Sequence, residues 1–201
     1  MAKQILTTVI LISALALGGC VTVATTGVVE GAKIASEERS INSASSDARI
    51  QLRINDKLLK HSTSLFTNVD LTVTEGRVLL TGNVPKAADR VKAVELVWQV
   101  PGVKQVMNEL QVKEGGGVSG YASDTWLITK LRSQMILAKD IISINYNLDV
   151  VNGVVYMMGI AQDQAELDRV KNLVRNTSGV KDLVSYVRLK SNLPNPATAK
   201  K

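Results

Sequence analysis

The sequence predicts an α+β protein built from two αββαβ units, each a small three-stranded sheet packed by two helices. One observation is a repeat: Asp47 and Gly82 recur as Asp124 and Gly159, in both cases 77 residues later. Other observations are an alternating strand-turn-strand pattern in each copy and helical periodicity before and after it. A repeat of this length with only two copies indicates paired domains rather than a solenoid.

Composition divides the 201 residues into six segments. We expect a lipoprotein signal peptide at 1–19, a lipidated cysteine with a flexible tether at 20–46, a first domain at 47–114, a Gly-rich linker at 115–122, a second domain at 123–190 and a disordered tail at 191–201. The net charge of +6 suits an anionic surface, but no block of basic residues argues for nucleic acid.

The amino-terminal segment has the features of an export signal. Lys3 supplies a positive charge, and the apolar run after it is too short to span a bilayer stably. The run ends in Leu17-Gly18-Gly19-Cys20, which resembles the lipobox of bacterial lipoproteins and predicts acylation of Cys20. The alternative is an ordinary secretory signal that leaves a buried free thiol. By resemblance to such lipoproteins, Val21 rather than Asp favours transfer to the outer membrane.

Each unit is expected to contain a helix, a two-stranded hairpin, a second helix and a closing strand. In the first unit these are Asp47–Lys60 capped by Ser46, strands at 69–73 and 78–81 around Glu75-Gly76, a helix at 86–100 after Pro85, and a strand at 103–112. In the second they are Asp124–Ala138 capped by Ser123, strands at 144–151 and 154–158 around Asn152-Gly153, a helix at 164–176, and a strand at 180–189. We expect Gly82 and Gly159 to end the strands in which they lie, at points where the backbone bends or packs closely.

The first helix of the second unit has an unusual outward face. Leu127, Leu131 and Met135 form an ordinary core stripe. The opposite stripe contains Trp126, Lys130, Ser133 and Leu137, flanked by Thr129 and Ile136, with Arg132 nearby. An indole and a leucine beside cations are typical of a helix that lies in a membrane headgroup layer.

The first unit provides an internal comparison for that face. Its equivalent stripe contains Arg49, Arg53, Asp56 and Lys60, as expected of a solvated helix. The core positions remain apolar in both copies. The outward face therefore changed its chemistry while the fold was kept.

The paired glycines and the Gly-Val steps at 102–103 and 179–180 make residues 47–190 resemble tandem BON domains. The layout behind a lipobox is similar to the dual-BON lipoproteins of Gram-negative bacteria. The resemblance implies a non-enzymatic, lipid-anchored protein on the periplasmic side of the outer membrane, supporting membrane integrity, with a place at the division site. It also implies that the first helix of the second domain binds anionic phospholipid of the phosphatidylglycerol type. The residues implied are Trp126, Thr129, Lys130, Arg132, Ser133, Ile136 and Leu137.

Two alternatives remain open for the outward stripe. Trp126 and Leu137 would also suit packing against the other domain, and they would suit a protein partner. The corresponding function is a periplasmic adaptor for envelope assembly or for regulators of cell-wall hydrolases. Trp98 is expected in the core or between the domains, and Tyr121 is expected to add a second aromatic side chain beside Trp126.

The sequence offers little for catalysis or cofactor binding. His61 is the only histidine and has no counterpart in the second unit, so we expect no metal site. No carboxylate pair recurs in both units, and no glycine loop has the spacing that cradles phosphate. We therefore expect neither an enzyme nor a bound cofactor.

Overall fold

The computed structural model describes residues 41–113 and 120–193. The expected signal peptide, Cys20 and most of the expected tether, linker and tail lie outside the described residues. Both repeats belong to one compact unit, Glu37–Lys201. We refer to the described residues 41–113 as the N-domain and to 120–193 as the C-domain.

The N-domain packs helices on one face of a small sheet. Its elements are α1 Ile41–His61, α2 Thr63–Asn68, β1 Val69–Thr74, β2 Arg77–Val84, α3 Ala87–Trp98, β3 Gln105–Asn108 and β4 Gln111–Val112. β2 pairs antiparallel with β1 and parallel with both β3 and β4. The last strand of the prediction is thus present but broken into two short pieces.

The C-domain repeats this arrangement. Its elements are α4 Tyr121–Leu137, a 3₁₀ turn Ser143–Asn145, β5 Tyr146–Val151, β6 Val154–Ala161, α5 Gln164–Arg175, β7 Asp182–Leu189 and a 3₁₀ turn Lys190–Asn192. The strand order is β5-β6-β7, with β6 antiparallel to β5 and parallel to β7. The predicted αββαβ order of both domains is confirmed.

A carboxylate on the first helix holds the hairpin turn in each domain. Asp124 accepts hydrogen bonds from the backbone amides of Asn152 and Gly153 at 2.7 and 2.9 Å. Asp47 does the same for the turn at 75–76, at 2.7 and 2.8 Å. These turn residues have positive φ angles, as an Asn-Gly type I′ turn requires. The repeated aspartate is therefore a fold-defining residue.

The predicted start of the first helix in each domain was wrong. α1 begins at Ile41, so Ser46 lies inside it and residues 41–46 are helix rather than tether. α4 begins at Tyr121 with Gly120 as its N-cap, so Ser123 is not the cap. Its hydroxyl instead donates to the Gly120 carbonyl at 2.7 Å. Serine favours N-caps, but hydrogen bonds to a nearby carbonyl let it lie within the first turn.

The prediction that two glycines end their strands was also wrong. β2 continues to Val84 and β6 continues to Ala161, past Gly82 and Gly159. A close approach was nevertheless expected there, and it is present. A Cβ on Gly82 would lie 2.2 Å from the Asn68 carbonyl oxygen. Backbone crowding, rather than strand termination, explains these glycines.

Other differences concern local segments. α2 was not predicted, although Ser62 caps it by accepting from the Leu65 amide. Asp163 likewise caps α5 through the Glu166 amide, which was missed. The expected tail begins with a 3₁₀ turn that reaches Asn192. No helix among the described residues has both the length and the apolar content needed to cross a bilayer.

Alternation along the central strands places a helix-facing core on one side and an inter-domain seam on the other. Val78 and Leu80 of β2 join the N-domain core, and Val155 and Met157 of β6 join the C-domain core. Their neighbours point to the opposite face. Those residues form a third buried cluster of Leu79, Met107, Val151, Tyr156 and Met158.

Polar contacts surround the seam. Arg188 forms an ion pair with Glu75 at 3.1 Å, and Gln111 donates to the Tyr156 hydroxyl at 3.2 Å. The Tyr186 hydroxyl donates to Glu109, and burial together with this bond raises the pKa of Tyr186 to about 12. The two sheets therefore pack through an apolar centre with a hydrogen-bonded border.

Candidate functional site

The outward face of α4 is exposed. The exposed fractions are 60% for Trp126, 71% for Ile136 and 80% for Leu137. Thr129, Arg132 and Ser133 are also exposed, and Lys130 is half-buried. We call these seven residues the α4 face. None of them lies in the inter-domain seam, which is formed by the sheets.

The two cations flank the apolar residues of the α4 face. Lys130 Nζ lies 4.9 Å from the centroid of the Trp126 ring and 3.5 Å from the Ser178 carbonyl oxygen. Arg132 Nη2 lies 3.5 Å from the Leu148 carbonyl oxygen, on the β5 side of the helix. A cation over the ring face is attracted by its quadrupole. The indole is thus held beside a positive charge and remains open to solvent.

Hydroxyl groups on this helix are bonded to its own backbone. Thr125 donates to the Tyr121 carbonyl at 2.8 Å, Thr129 to the Thr125 carbonyl at 2.8 Å, and Ser133 to the Thr129 carbonyl at 2.9 Å. Each bond spans one helical turn, a known habit of serine and threonine in helices. These polar side chains already have partners, so covering the α4 face strands none of them.

The inner side of α4 fixes its position. Leu127, Leu131 and Met135 are almost fully buried in the C-domain core. The Thr177 hydroxyl donates to Gln134 at 2.7 Å, joining α4 to the end of α5. The exposed face therefore stands on a rigid support.

The equivalent face of α1 is charged along its centre but not at its edge. Arg49 and Arg53 are exposed, and Lys60 pairs with Asp56 at 2.8 Å. At one edge, however, Leu52 is 69% exposed and Leu59 is 49% exposed. These leucines match Thr129 and Ile136 in the repeat, and their helical spacing of seven could have revealed them.

The prediction that Trp98 lies in the core or between the domains was wrong. Its side chain is 53% exposed on α3. Val91, one heptad earlier on the same helix, is also exposed. α3 ends at Trp98, where the chain turns away before the ring is covered. Tyr121 is the first residue of α4 and is exposed, and its expected role as a second aromatic side chain beside Trp126 stays a prediction.

A groove of about 310 Å³ lies between the domains beside the first turns of α4. Asp70 and Asp149 line it together with Tyr121 and Thr125, and we call it the acidic groove. Burial, with a contribution from Asp149, raises the pKa of the Asp70 carboxyl. Asp124 also lines this groove, and the three carboxylates make this side of α4 unfavourable for an anionic ligand.

Metal chemistry has no support in the described part of the chain. Within 41–113 and 120–193, no group of three or more His, Cys, Asp and Glu residues could hold an ion. His61, at the end of α1, is exposed. Cys20, the expected acylation site, lies outside the described residues. What the described surface offers is a binding face with apolar and cationic groups.

Comparison with known proteins agrees with the repeat. The BON domain profile matches residues 46–114 and 123–191. An Anaplasma centrale protein, named only by its place in the gshII 5′ region, is 41% identical over 72% of this chain and 95% of its own. Osmotically-inducible protein Y of Escherichia coli is 28% identical over 83% and 84%. Outer membrane lipoprotein DolP of Haemophilus influenzae is 27% identical over 86% and 89%.

Proposed function

The chain belongs to the BON domain family, and from this we propose that it is an envelope lipoprotein that binds anionic phospholipid through the α4 face. The observation that carries the proposal is the exposure of Trp126 and Leu137 on a helix whose twin presents Arg49 and Lys60 at the same positions. A solvated helix gains nothing from an exposed indole. A helix that meets a bilayer does.

The magnitudes support weak, reversible membrane contact. Burying a large apolar side chain is worth about 2 kcal/mol, so Trp126, Ile136 and Leu137 supply several kcal/mol before entropic costs. Lys130 and Arg132 add about 1 kcal/mol each beside anionic lipid. The internal bonds of Thr129 and Ser133 keep the desolvation cost of the face low.

An acyl anchor turns weak contact into stable residence. On this proposal Cys20 carries lipid, and the tether after it holds the C-domain at a high effective concentration near the bilayer. The relative named outer membrane lipoprotein DolP supports the inner leaflet of the outer membrane, facing the periplasm, as the location. Support of outer-membrane integrity, and a place at the division site, follow from the same resemblance.

We propose binding without catalysis. Potential nucleophiles on the α4 face, the hydroxyls of Thr129 and Ser133, donate to helix carbonyls, and no histidine lies beside them. Activation of a hydroxyl needs a base within hydrogen-bond reach. The α4 face therefore acts through contact alone.

The test is vesicle flotation of the fragment 37–201, the compact unit, carrying Trp126→Glu. We expect wild type to float with vesicles containing phosphatidylglycerol and to bind phosphatidylcholine vesicles much less. A carboxylate in place of the indole removes the largest apolar group and repels the anionic surface. Binding should weaken by more than about tenfold.

Arg49→Glu provides the matched control, because Arg49 is the N-domain counterpart of Trp126 and is also exposed. It should weaken flotation by less than about threefold, since only long-range charge changes. Undiminished flotation of the Trp126→Glu fragment would reject the lipid proposal. The periplasmic adaptor, with α4 docking a protein, would then be the better interpretation.

A further inference from the structure

We infer that a pocket beside Trp126 is a subsite for the phosphate of an anionic phospholipid headgroup. The inference rests on the proposed function, and it adds a place for the headgroup next to the apolar contact. The pocket has a volume of about 470 Å³. It is lined by Lys113, Ser123, Trp126, Asn152, Gly179 and Lys181, among others, and we call it the lysine pocket.

The charged groups of the lysine pocket favour an anion. Lys113 is the last described residue of the N-domain, and Lys181 directly precedes β7. The one carboxylate in the lining, Asp124, has both oxygens occupied by the turn amides of Asn152 and Gly153. Lys181 Nζ donates to the Asn152 carbonyl at 2.8 Å, which leaves two of its three N–H groups for a ligand.

The N-domain contains the equivalent pocket in a different form. Five residues of its lining are equivalent, at an offset of 77, to residues of the lysine pocket. They are Ser46, Asp47, Glu75, Gly102 and Lys104, which match Ser123, Asp124, Asn152, Gly179 and Lys181 in that order. Glu75 replaces the neutral Asn152, and nothing in that lining corresponds to Lys113. Among the lining residues the sign of the formal charge is therefore reversed. The N-domain pocket has two carboxylates, one of them the Glu75 that pairs with Arg188, and one lysine. The C-domain pocket has one carboxylate and two lysines.

The two pockets also differ in size, and the helix starts explain why. The N-domain pocket measures about 170 Å³. α1 continues back to Ile41, so Ser43 lines that pocket at the position that Gly120 holds in the C-domain. α4 begins one residue after Gly120. Ser43 therefore carries a side chain into the N-domain pocket where the C-domain has only a glycine.

The lysine pocket lies where a headgroup would be if Trp126 entered the acyl boundary. Trp126 forms part of its wall, and Lys130 reaches toward Ser178 on the same flank of α4. The acidic groove, with Asp70 and Asp149, lies beside the same helix. Phosphate is attracted to lysine as a point charge and repelled by carboxylate, so the lysine pocket is the favourable place.

The first experiment uses a soluble probe, sn-glycerol 1-phosphate, with amide chemical shifts of the fragment 37–201. We expect shifts at Ser123, Gly153 and Gly179 and none at Gly102. Lys113→Gln and Lys181→Gln should each weaken the response by about fivefold to tenfold, as loss of one charged contact does. Lys104→Gln, the N-domain counterpart of Lys181→Gln, should have no effect. Equal shifts in both domains would overturn the inference.

The second experiment measures the emission of Trp126 in a Trp98→Phe background as vesicles are added. Vesicles with phosphatidylglycerol should shift the emission to the blue, and Lys181→Gln should raise the lipid concentration needed by about fivefold. If Lys113→Gln and Lys181→Gln bind as wild type while Trp126→Glu does not, the headgroup subsite is rejected and the α4 face stands. If wild type responds to glycerol phosphate or inorganic phosphate but never to vesicles, both proposals fall.

Discussion

Gly82 and Gly159 occupy equivalent positions in the two domains. Each lies against the backbone of the residue that precedes the first strand of its hairpin, Asn68 or Asn145. The hypothetical Cβ distances are 2.2 Å to the Asn68 carbonyl oxygen and 2.1 Å to that of Asn145. Neither oxygen belongs to a flexible side chain, so relief requires the strand to move. Backbone crowding therefore explains why glycine occurs at both of these equivalent positions.

Gly82→Ala tests that interpretation. We expect it to lower the free energy of unfolding by more than about 3 kcal/mol, because steric clash is added to an unfavourable positive φ. Gly120→Ala is the control. The φ angle of Gly120, 109°, is close to the 114° of Gly82, but a Cβ on Gly120 would lie 3.6 Å from its nearest neighbour, Asn152 Oδ1. It should cost about 1–2 kcal/mol. Chemical denaturation of the fragment 37–201 measures both, and equal losses would contradict the crowding argument.

α4 carries apolar residues on both its inner and its outer side. Its inner residues pack the C-domain core, and its outer residues are apolar without being covered. α1 keeps the same inner pattern with a charged outer centre. The inner residues of α4 are sufficient to hold the helix on the core, so the residues of the α4 face need no packing partner within the fold.

Substitutions on the two sides of α4 should therefore differ in their effect on stability. Ile136→Thr and Leu137→Ser, on exposed positions, should change the free energy of unfolding by less than about 0.5 kcal/mol. Leu131→Ala, at a fully buried position, should cost about 2–5 kcal/mol. Urea denaturation of the fragment 37–201 measures the difference. A large loss from either outward variant would mean that the face is packed and not free to meet a membrane.

At the scale of the whole molecule, the seam makes two domains into one body. Leu79 and Met107 of the N-domain pack with Met158 of the C-domain, and the ion pair of Arg188 with Glu75 crosses the same boundary. The acidic groove opens at its edge. Because the sheets meet each other, the helices of both domains remain on outer surfaces, including α4.

Stability should depend on pH through Asp70. Burial and Asp149 raise its carboxyl pKa above 3.8 in the folded protein, so the protonated form stabilises the fold at low pH and this contribution is lost as pH rises through the folded pKa. Asp70→Asn should thus raise the free energy of unfolding at pH 7. The gain should be below about 1 kcal/mol, since the side chain is partly screened by water.

The gain from Asp70→Asn should shrink as pH falls toward 4, measured by thermal unfolding at several pH values. Asp168→Asn is the control, because this exposed residue on α5 accepts from Gln164 at 2.8 Å and an amide oxygen can do the same. Its effect should be the same at each pH. A pH-independent effect of Asp70→Asn would contradict the prediction that the Asp70 carboxyl, with its raised pKa, makes stability depend on pH.

Local patterns were enough to predict much of the fold. Alternation and the Asn152-Gly153 turn predicted the hairpins, and the position of Trp126 opposite Leu127 and Leu131 predicted an outward indole. Both depend on interactions between residues close in the chain. Trp98 was placed wrongly, because its exposure depends on where α3 stops relative to a distant sheet, which periodicity does not contain.

The sequence by itself determined the duplication, the order of most helices and strands, and the changed chemistry of one helix between the copies. The export signal ending at Cys20 stays a prediction. Only the tertiary structure decided that the sheets rather than the helices meet, which leaves the α4 face open. It alone brought Lys113 of one domain beside Lys181 of the other. The physical reason is that periodicity fixes which way a side chain points from its own element, while the partner on that side is chosen by packing of distant segments.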